Sequence, residues 1–95
     1  MLFGLFGKKE KREEILAGEV IHYFRKVKAA VIKVEKEPLS VGDEIVIKRS
    51  GKSFRQRIKS MQVNHVPVDK AAKGEEVAIQ VSRTARPGSK VYSLK

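Results

Sequence analysis

The chain has 95 residues, no cysteine, no tryptophan and a formal net charge of +10, from 21 Lys and Arg against 11 Asp and Glu. That length sets one domain, able to bury roughly 60–65% of its unfolded surface. The lack of cysteine excludes disulfides, a thiolate nucleophile and a Cys-based zinc site, and it fits a reducing cytoplasm. The basic excess makes a polyanion the leading class of partner.

Residues 1–16 read as an N-terminal tail, flexible or partly helical, ahead of a β domain over 17–95. Leu2, Phe3, Leu5 and Phe6 form a short apolar patch broken by Gly4 and Gly7. It is far too short to span a bilayer, which takes about 20 apolar residues. Its basic residues follow the apolar run, which is the reverse of a signal peptide. Lys8 to Glu14 is a mixed-charge run that can turn helical. The patch serves as a hook for a partner protein or a cover for the domain. A weak membrane-surface contact is its other use.

From Gly18 the pattern changes to period two. Glu19 to Arg25 reads as a first strand and Lys28 to Lys36 as a second, with Ala30, Ile32 and Val34 inward. Between them Arg25-Lys26-Val27-Lys28 carries no Gly or Asn-Gly signal, so the pair is a loosely specified hairpin or one long bent strand. After Pro38, Gly42-Asp43 is turn chemistry that delivers the chain into Glu44 to Arg49, where Glu44, Val46 and Lys48 alternate with Ile45, Ile47 and Arg49. The same arrangement recurs at Lys73-Gly74-Glu75, before Val77, Ile79 and Val81, and at Pro87-Gly88-Ser89, before Val91 to Leu94. Ser50-Gly51-Lys52-Ser53 makes a further turn, followed by a long strand from Phe54 to about His65. Its parity slips between Ile58 and Met61, which predicts a bulge near Lys59-Ser60. Pro67 confines Val66 to Val68 to an edge or a short bridge. Six or seven strands with no helix after Leu16 describe an all-β barrel or sandwich.

The order of these motifs resembles a known architecture. Gly18-Glu19-Val20, Leu39-x-Val41-Gly42-Asp43-x-Ile45, Ser60-Met61-Gln62-Val63, Lys73-Gly74-Glu75-x-Val77-Ala78-Ile79 and Gly88-x-Lys90-Val91 resemble the second domain of translational GTPases such as elongation factor Tu and initiation factor two. The chain is more similar still to the C-terminal barrel of collagenase-like peptidase family proteins, through Ser60-Met61-Gln62 and His65-x-Pro67-Val68. The resemblance implies a small closed six-stranded Greek-key barrel. In translation factors that barrel touches RNA, the ribosome or a neighbouring domain, and in some collagenase-like proteins it accompanies RNA-modifying enzymes.

Residues that carry chemistry are sparse. Gly51-Lys52-Ser53 matches the end of a phosphate-binding loop, but Val46 stands where its first glycine belongs and a strand follows where a helix is needed. His22 and His65 are the only histidines, and two without a third ligand make a poor zinc site. Asp43, Glu44, Asp69, Glu75 and Glu76 fall at or beside turns, where short acids bond backbone amides. No catalytic residue, metal or cofactor is expected.

The bases are better organised. Lys48, Arg49, Lys52, Arg55, Arg57 and Lys59 stand in one stretch without an acid, and Arg25, Lys26 and Lys28 form a second cluster beside Tyr23 and Phe24. Arg55, Arg57 and Lys59 share strand parity, which would set them in a row with rises of about 6.6 Å, close to phosphate spacing. An exposed aromatic at Tyr23 or Phe24 would stack on a base. These nine cations point to a non-enzymatic module for RNA or the ribosome. The other reading is a protein adaptor docked on a translation factor or RNA-modifying enzyme.

Overall fold

The structure is a computed structural model and describes residues 12–95. The hook Leu2, Phe3, Leu5 and Phe6, and most of the charged run after it, lie outside the described residues. Ten strands follow: β1 (Glu14–Phe24), β2 (Ala29–Val34), β3 (Leu39–Ser40), β4 (Glu44–Arg49), β5 (Lys52–Arg57), β6 (Met61–Val63), β7 (Val66–Pro67), β8 (Lys70–Ala71), β9 (Glu76–Gln80) and β10 (Lys90–Leu94). The described residues are all strand, turn and irregular chain. No helix of the described residues is long and apolar enough to cross a membrane.

Three near-identical turns launch β4, β9 and β10. Gly42, Gly74 and Gly88 sit at φ of 98°, 94° and 96°, a region open to glycine at no steric cost. In each, the following residue closes a turn by donating its amide to the carbonyl three residues back: Asp43 to Ser40 at 3.1 Å, Glu75 to Ala72 at 3.0 Å, Ser89 to Arg86 at 3.1 Å. These are type II turns, and Pro87 stands at the position where a fixed φ is an advantage. The Asp43 and Glu75 carboxylates then accept the Ser40 and Ala72 amides at 2.9 and 2.7 Å, the use expected for acids at turns. Two hairpins close on two-residue turns with positive φ at both positions, Ser50-Gly51 and Asn64-His65.

The main sheet runs β5-β4-β10-β1-β2-β9-β6-β7, with a separate β3-β8 pair. β1 is shared by two halves of the sheet: Glu14 to Glu19 pair with β10, and Gly18 to Phe24 with β2. Register shifts between Leu16 and Gly18, and between Val20 and His22, bend it from one half to the other. At the bend only glycine fits, because a Cβ on Gly18 would sit 2.1 Å from the Lys33 carbonyl oxygen. The core follows the expected parity: Ala30, Ile32 and Val34 on β2, Ile45 and Ile47 on β4, Val77 and Ile79 on β9 are all essentially sealed from solvent. Leu39 and Ala71, partners in the small pair, are sealed in the same core. Val46 departs from the alternation, lying buried on the outward side of β4.

Two expectations change, and one open alternative is resolved. Glu14 to Leu16, placed in the tail, already belong to β1. The hairpin between β1 and β2 is real, with Lys28 at φ 52° completing the turn Arg25–Lys28. The long strand from Phe54 to His65 is two strands, β5 and β6, on opposite sides of the sheet. The parity slip is therefore a corner and not a bulge. After Arg57 the chain leaves β4, Ile58 exchanges backbone hydrogen bonds with Gly42 and Asp43 at 2.8 Å, and Met61 emerges against β9.

The six-stranded closed barrel is also corrected, since the backbone ladder does not close. β5 ends the sheet with one edge unpaired by backbone, and β6 covers β9 only at Ala78 and Ile79. Beyond that point the Gln56 side chain takes over. It donates to the Gln80 carbonyl at 2.9 Å and accepts from the Ser82 amide at 2.8 Å. A side chain does there what a strand ladder would do in a closed barrel.

Candidate functional site

The β4–β5 turn and the loop from Val81 to Ser89 face each other across a hollow of about 520 Å³. The half-buried Phe54 lines it, and so does Ile47, of which only 2% is exposed. Arg49 and Lys52 come from the turn, Arg83 and Arg86 from the loop, and Ser50, Ser53 and Thr84 add hydroxyls, while the buried Ser89 completes the lining. Among the described residues no carboxylate lines it, and none is within salt-bridge distance of those four cations.

Local pairing and hydrogen bonds tie down both walls. The turn has a two-residue connection, with Arg49 and Lys52 as the closing pair. The loop is pinned at regular intervals. Val81 donates to the Lys28 carbonyl at 2.9 Å, Ala85 is buried, and Gly88 donates to the Val20 carbonyl at 2.8 Å. Ser89, itself buried, sends its Oγ back to the Arg86 carbonyl at 2.7 Å. Arg83 and Arg86, carried on this hydrogen-bonded loop, are both exposed.

The nine cations singled out in the sequence are not one surface. Arg49 and Lys52 line the pocket, and a more open hollow of about 320 Å³ adjoins the same turn, bounded by Lys48 to Ser53. Lys48 itself pairs with Glu14 and lies 5.3 Å from the Tyr92 ring centre. Its ammonium titrates above the usual value, mainly through the hydrogen bond to Glu14. Arg55 and Arg57 do share an outer face, but Glu44 lies among them. The bonded Arg12 guanidinium holds that carboxyl below its ordinary value, and the charges of Arg12, Arg55 and Arg57 pull the same way. Arg57 also donates to the Gly42 carbonyl at 2.9 Å. Because β5 ends at Arg57, Lys59 falls outside the strand and the row of three does not form. Arg25, Lys26 and Lys28 occupy the β1–β2 turn, which touches the pocket loop where it starts, at Val81. Of the two aromatics there, Tyr23 packs against the core and Phe24 is 53% exposed, 6.2 Å from the His22 ring.

Arg83 and Arg86 are the cations that sequence reading passed over. The signal was present as Ser82-Arg83-Thr84-Ala85-Arg86, two bases three apart with no acid before a Pro-Gly turn. Among the described residues no cluster of His, Asp and Glu has metal-binding geometry. Gly51 and Lys52 lie in a hairpin that continues as strand β5, so the helix of a phosphate loop is not formed there.

No protein-family model matches the chain. Over 91 residues, 94% of its length, it is 37% identical to an uncharacterised protease of Methanocaldococcus jannaschii, of which it covers 22%. Over 88 residues, 92% of its length, it is 32% identical to a collagenase of Porphyromonas gingivalis, of which it covers 21%. The chain therefore spans about a fifth of the length of these curated relatives. Its fold is shared with the C-terminal domain of a Geobacillus thermoleovorans protein described as a U32 peptidase, with a TM-score of 0.76 and 21% identity, covering 81% of this chain and 96% of that one.

The collagenase-like half of the resemblance is supported by these likenesses; the translation-factor half is not. An RNA- or ribosome-associated module is overturned, and so is an adaptor for a translation factor or RNA-modifying enzyme. The matched relatives are a protease and a collagenase, and the shared fold is that of the peptidase C-terminal domain. The physical reason is that glycine-turn-strand order encodes a scaffold, whereas ligand choice lies in the side chains set upon it.

Proposed function

We propose that the chain is a non-catalytic accessory domain of the U32 peptidase and collagenase type, and that the basic pocket is its recognition site for an anionic group. The observation that carries this reading is an alignment running through 94% of this chain and only 22% of a protease. Such a match is one module shared with a larger protein. Side-chain chemistry points the same way: Asp43 and Glu75 are spent on turns, and Glu14, Glu19, Glu37 and Glu44 on ion pairs. The module adds binding to chemistry performed elsewhere.

A domain exchange tests the proposal. The segment of the Methanocaldococcus relative that aligns with this chain is deleted, or replaced by this chain, and gelatin and casein hydrolysis are followed for each form. Replacement should retain hydrolysis that deletion loses. Hydrolysis by this chain alone, or undiminished hydrolysis after deletion, would overturn the accessory reading.

A further inference from the structure

We infer that the pocket between the β4–β5 turn and the Val81–Ser89 loop binds a phosphomonoester dianion carried on a compact apolar or planar body. This rests on the reading of the pocket as the recognition site of the module. Arg49, Lys52, Arg83 and Arg86 converge on one hollow, and none of them has an acidic partner among the described residues. A single carboxylate would leave most of that charge uncompensated. A phosphomonoester carries close to two negative charges at neutral pH and offers three acceptor oxygens, and arginine forks match those oxygens in pairs. Ser50, Ser53 and Thr84 supply hydroxyl donors at the same rim.

Size and lining specify the rest of the ligand. A hollow of about 520 Å³ is far roomier than inorganic phosphate requires. The half-buried Phe54 gives the remainder an apolar surface on which a planar group can pack. Four cations and an aromatic side chain in one lining suit an anionic head on an apolar or planar body. The phosphate oxygens are held by side-chain cations, without the loop-to-helix backbone cradle of a phosphate loop.

The test uses the full chain and calorimetry at physiological salt with phenyl phosphate as probe. Phenyl sulfate serves as the monoanion of equal shape, inorganic phosphate as the head without a body, and a glutamate-rich peptide as a polycarboxylate. Phenyl phosphate should bind at least tenfold tighter than the other three, and its affinity should rise with pH through about 6 as the second proton leaves. Arg83→Gln with Arg86→Gln should weaken it at least tenfold. Arg55→Gln with Lys59→Gln, which removes equal charge outside the pocket, should change it less than twofold. Thermal melts of both double variants check that folding is intact, and Arg86→Lys should restore part of the affinity. Vesicles of phosphatidylcholine with phosphatidic acid, against the same with phosphatidylglycerol, decide whether the monoester is taken free or from a lipid surface. Equal binding of phenyl sulfate, or equal losses in the two double variants, overturns the proposal. Peptide binding as tight as phenyl phosphate overturns the phosphate assignment while the accessory reading stands on the domain exchange. No binding of phenyl phosphate sinks it outright.

Discussion

The Gln56 side-chain amide on β5 donates to the Gln80 backbone carbonyl on β9 at 2.9 Å, across a seam that no backbone ladder crosses. Its oxygen receives the Ser82 amide at 2.8 Å, and Gln80 in turn sends its own side chain to the Val27 carbonyl at 2.6 Å. Two glutamines thereby tie the edge strand, the pocket loop and the β1–β2 turn together. Gln56→Ala should destabilise the fold by about 1–2 kcal/mol, from the loss of two to three partly exposed hydrogen bonds. The melting temperature should fall by roughly 5–15 °C for a domain of this size, with faster hydrogen exchange at Ser82. A melt indistinguishable from wild type would show that the seam contributes nothing.

Gly18 is the position least open to change. A Cβ there would meet the Lys33 carbonyl oxygen at 2.1 Å, and that oxygen is backbone, which cannot rotate away as a side chain would. Gly18→Ala should cost on the order of 3 kcal/mol or more. Gly51→Ala is the comparison: its φ is 81° but nothing lies within 4 Å, so only about 1 kcal/mol of backbone strain is expected. Denaturant melts that rank the two the other way would refute the steric account.

His65 takes the second place of a two-residue turn at φ 64°, where glycine is the favoured residue. His65→Gly should stabilise by about 1 kcal/mol, without altering phenyl phosphate affinity, since His65 is no part of the pocket lining. A loss of stability would show that the imidazole makes a contact worth more than the strain.

Ser93 points into the core at 1% exposure, and its Oγ has no hydrogen-bond partner among the described residues. An unpaired buried hydroxyl carries a desolvation penalty of about 1–3 kcal/mol. Ser93→Ala removes it and should raise stability by about 1 kcal/mol, read as a higher denaturant midpoint at unchanged slope. A fall in midpoint would mean that the hydroxyl is bonded in solution.

Stability should depend on pH at both extremes through exposed ion pairs. The Glu44 carboxyl titrates below its ordinary 4.5, so its contribution is complete above that value and is lost as acid protonates it. Lys48 and Lys90 titrate above 10.5, through hydrogen bonds to Glu14 and Glu19, so theirs is complete below that value and is lost in stronger alkali. Arg12→Gln should flatten the acid limb of a stability–pH profile and leave the alkaline limb alone. High salt should weaken both limbs.

What the sequence determined by itself was local. Glycine at positive φ before Asp43, Glu75 and Ser89 announces turns that need only neighbouring residues, and alternation at Ala30-Val34, Ile45-Ile47 and Val77-Ile79 assigns the buried face from each strand alone. What the tertiary structure decided was non-local. Ile58 to Met61 reads as a bulge in the sequence because parity cannot tell a bulge from a corner that moves the chain to another strand. Gln56 reads as one polar residue among several, because nothing near it in sequence marks Gln80 and Ser82 as partners. Arg55, Arg57 and Lys59 stand at alternate positions of one segment, yet the pocket combines Arg49 and Lys52 with Arg83 and Arg86 from more than thirty residues on. Strand parity and turn chemistry act over two to four residues, whereas a site depends on which loops the sheet order brings face to face, and that order is set by the packing of the whole core.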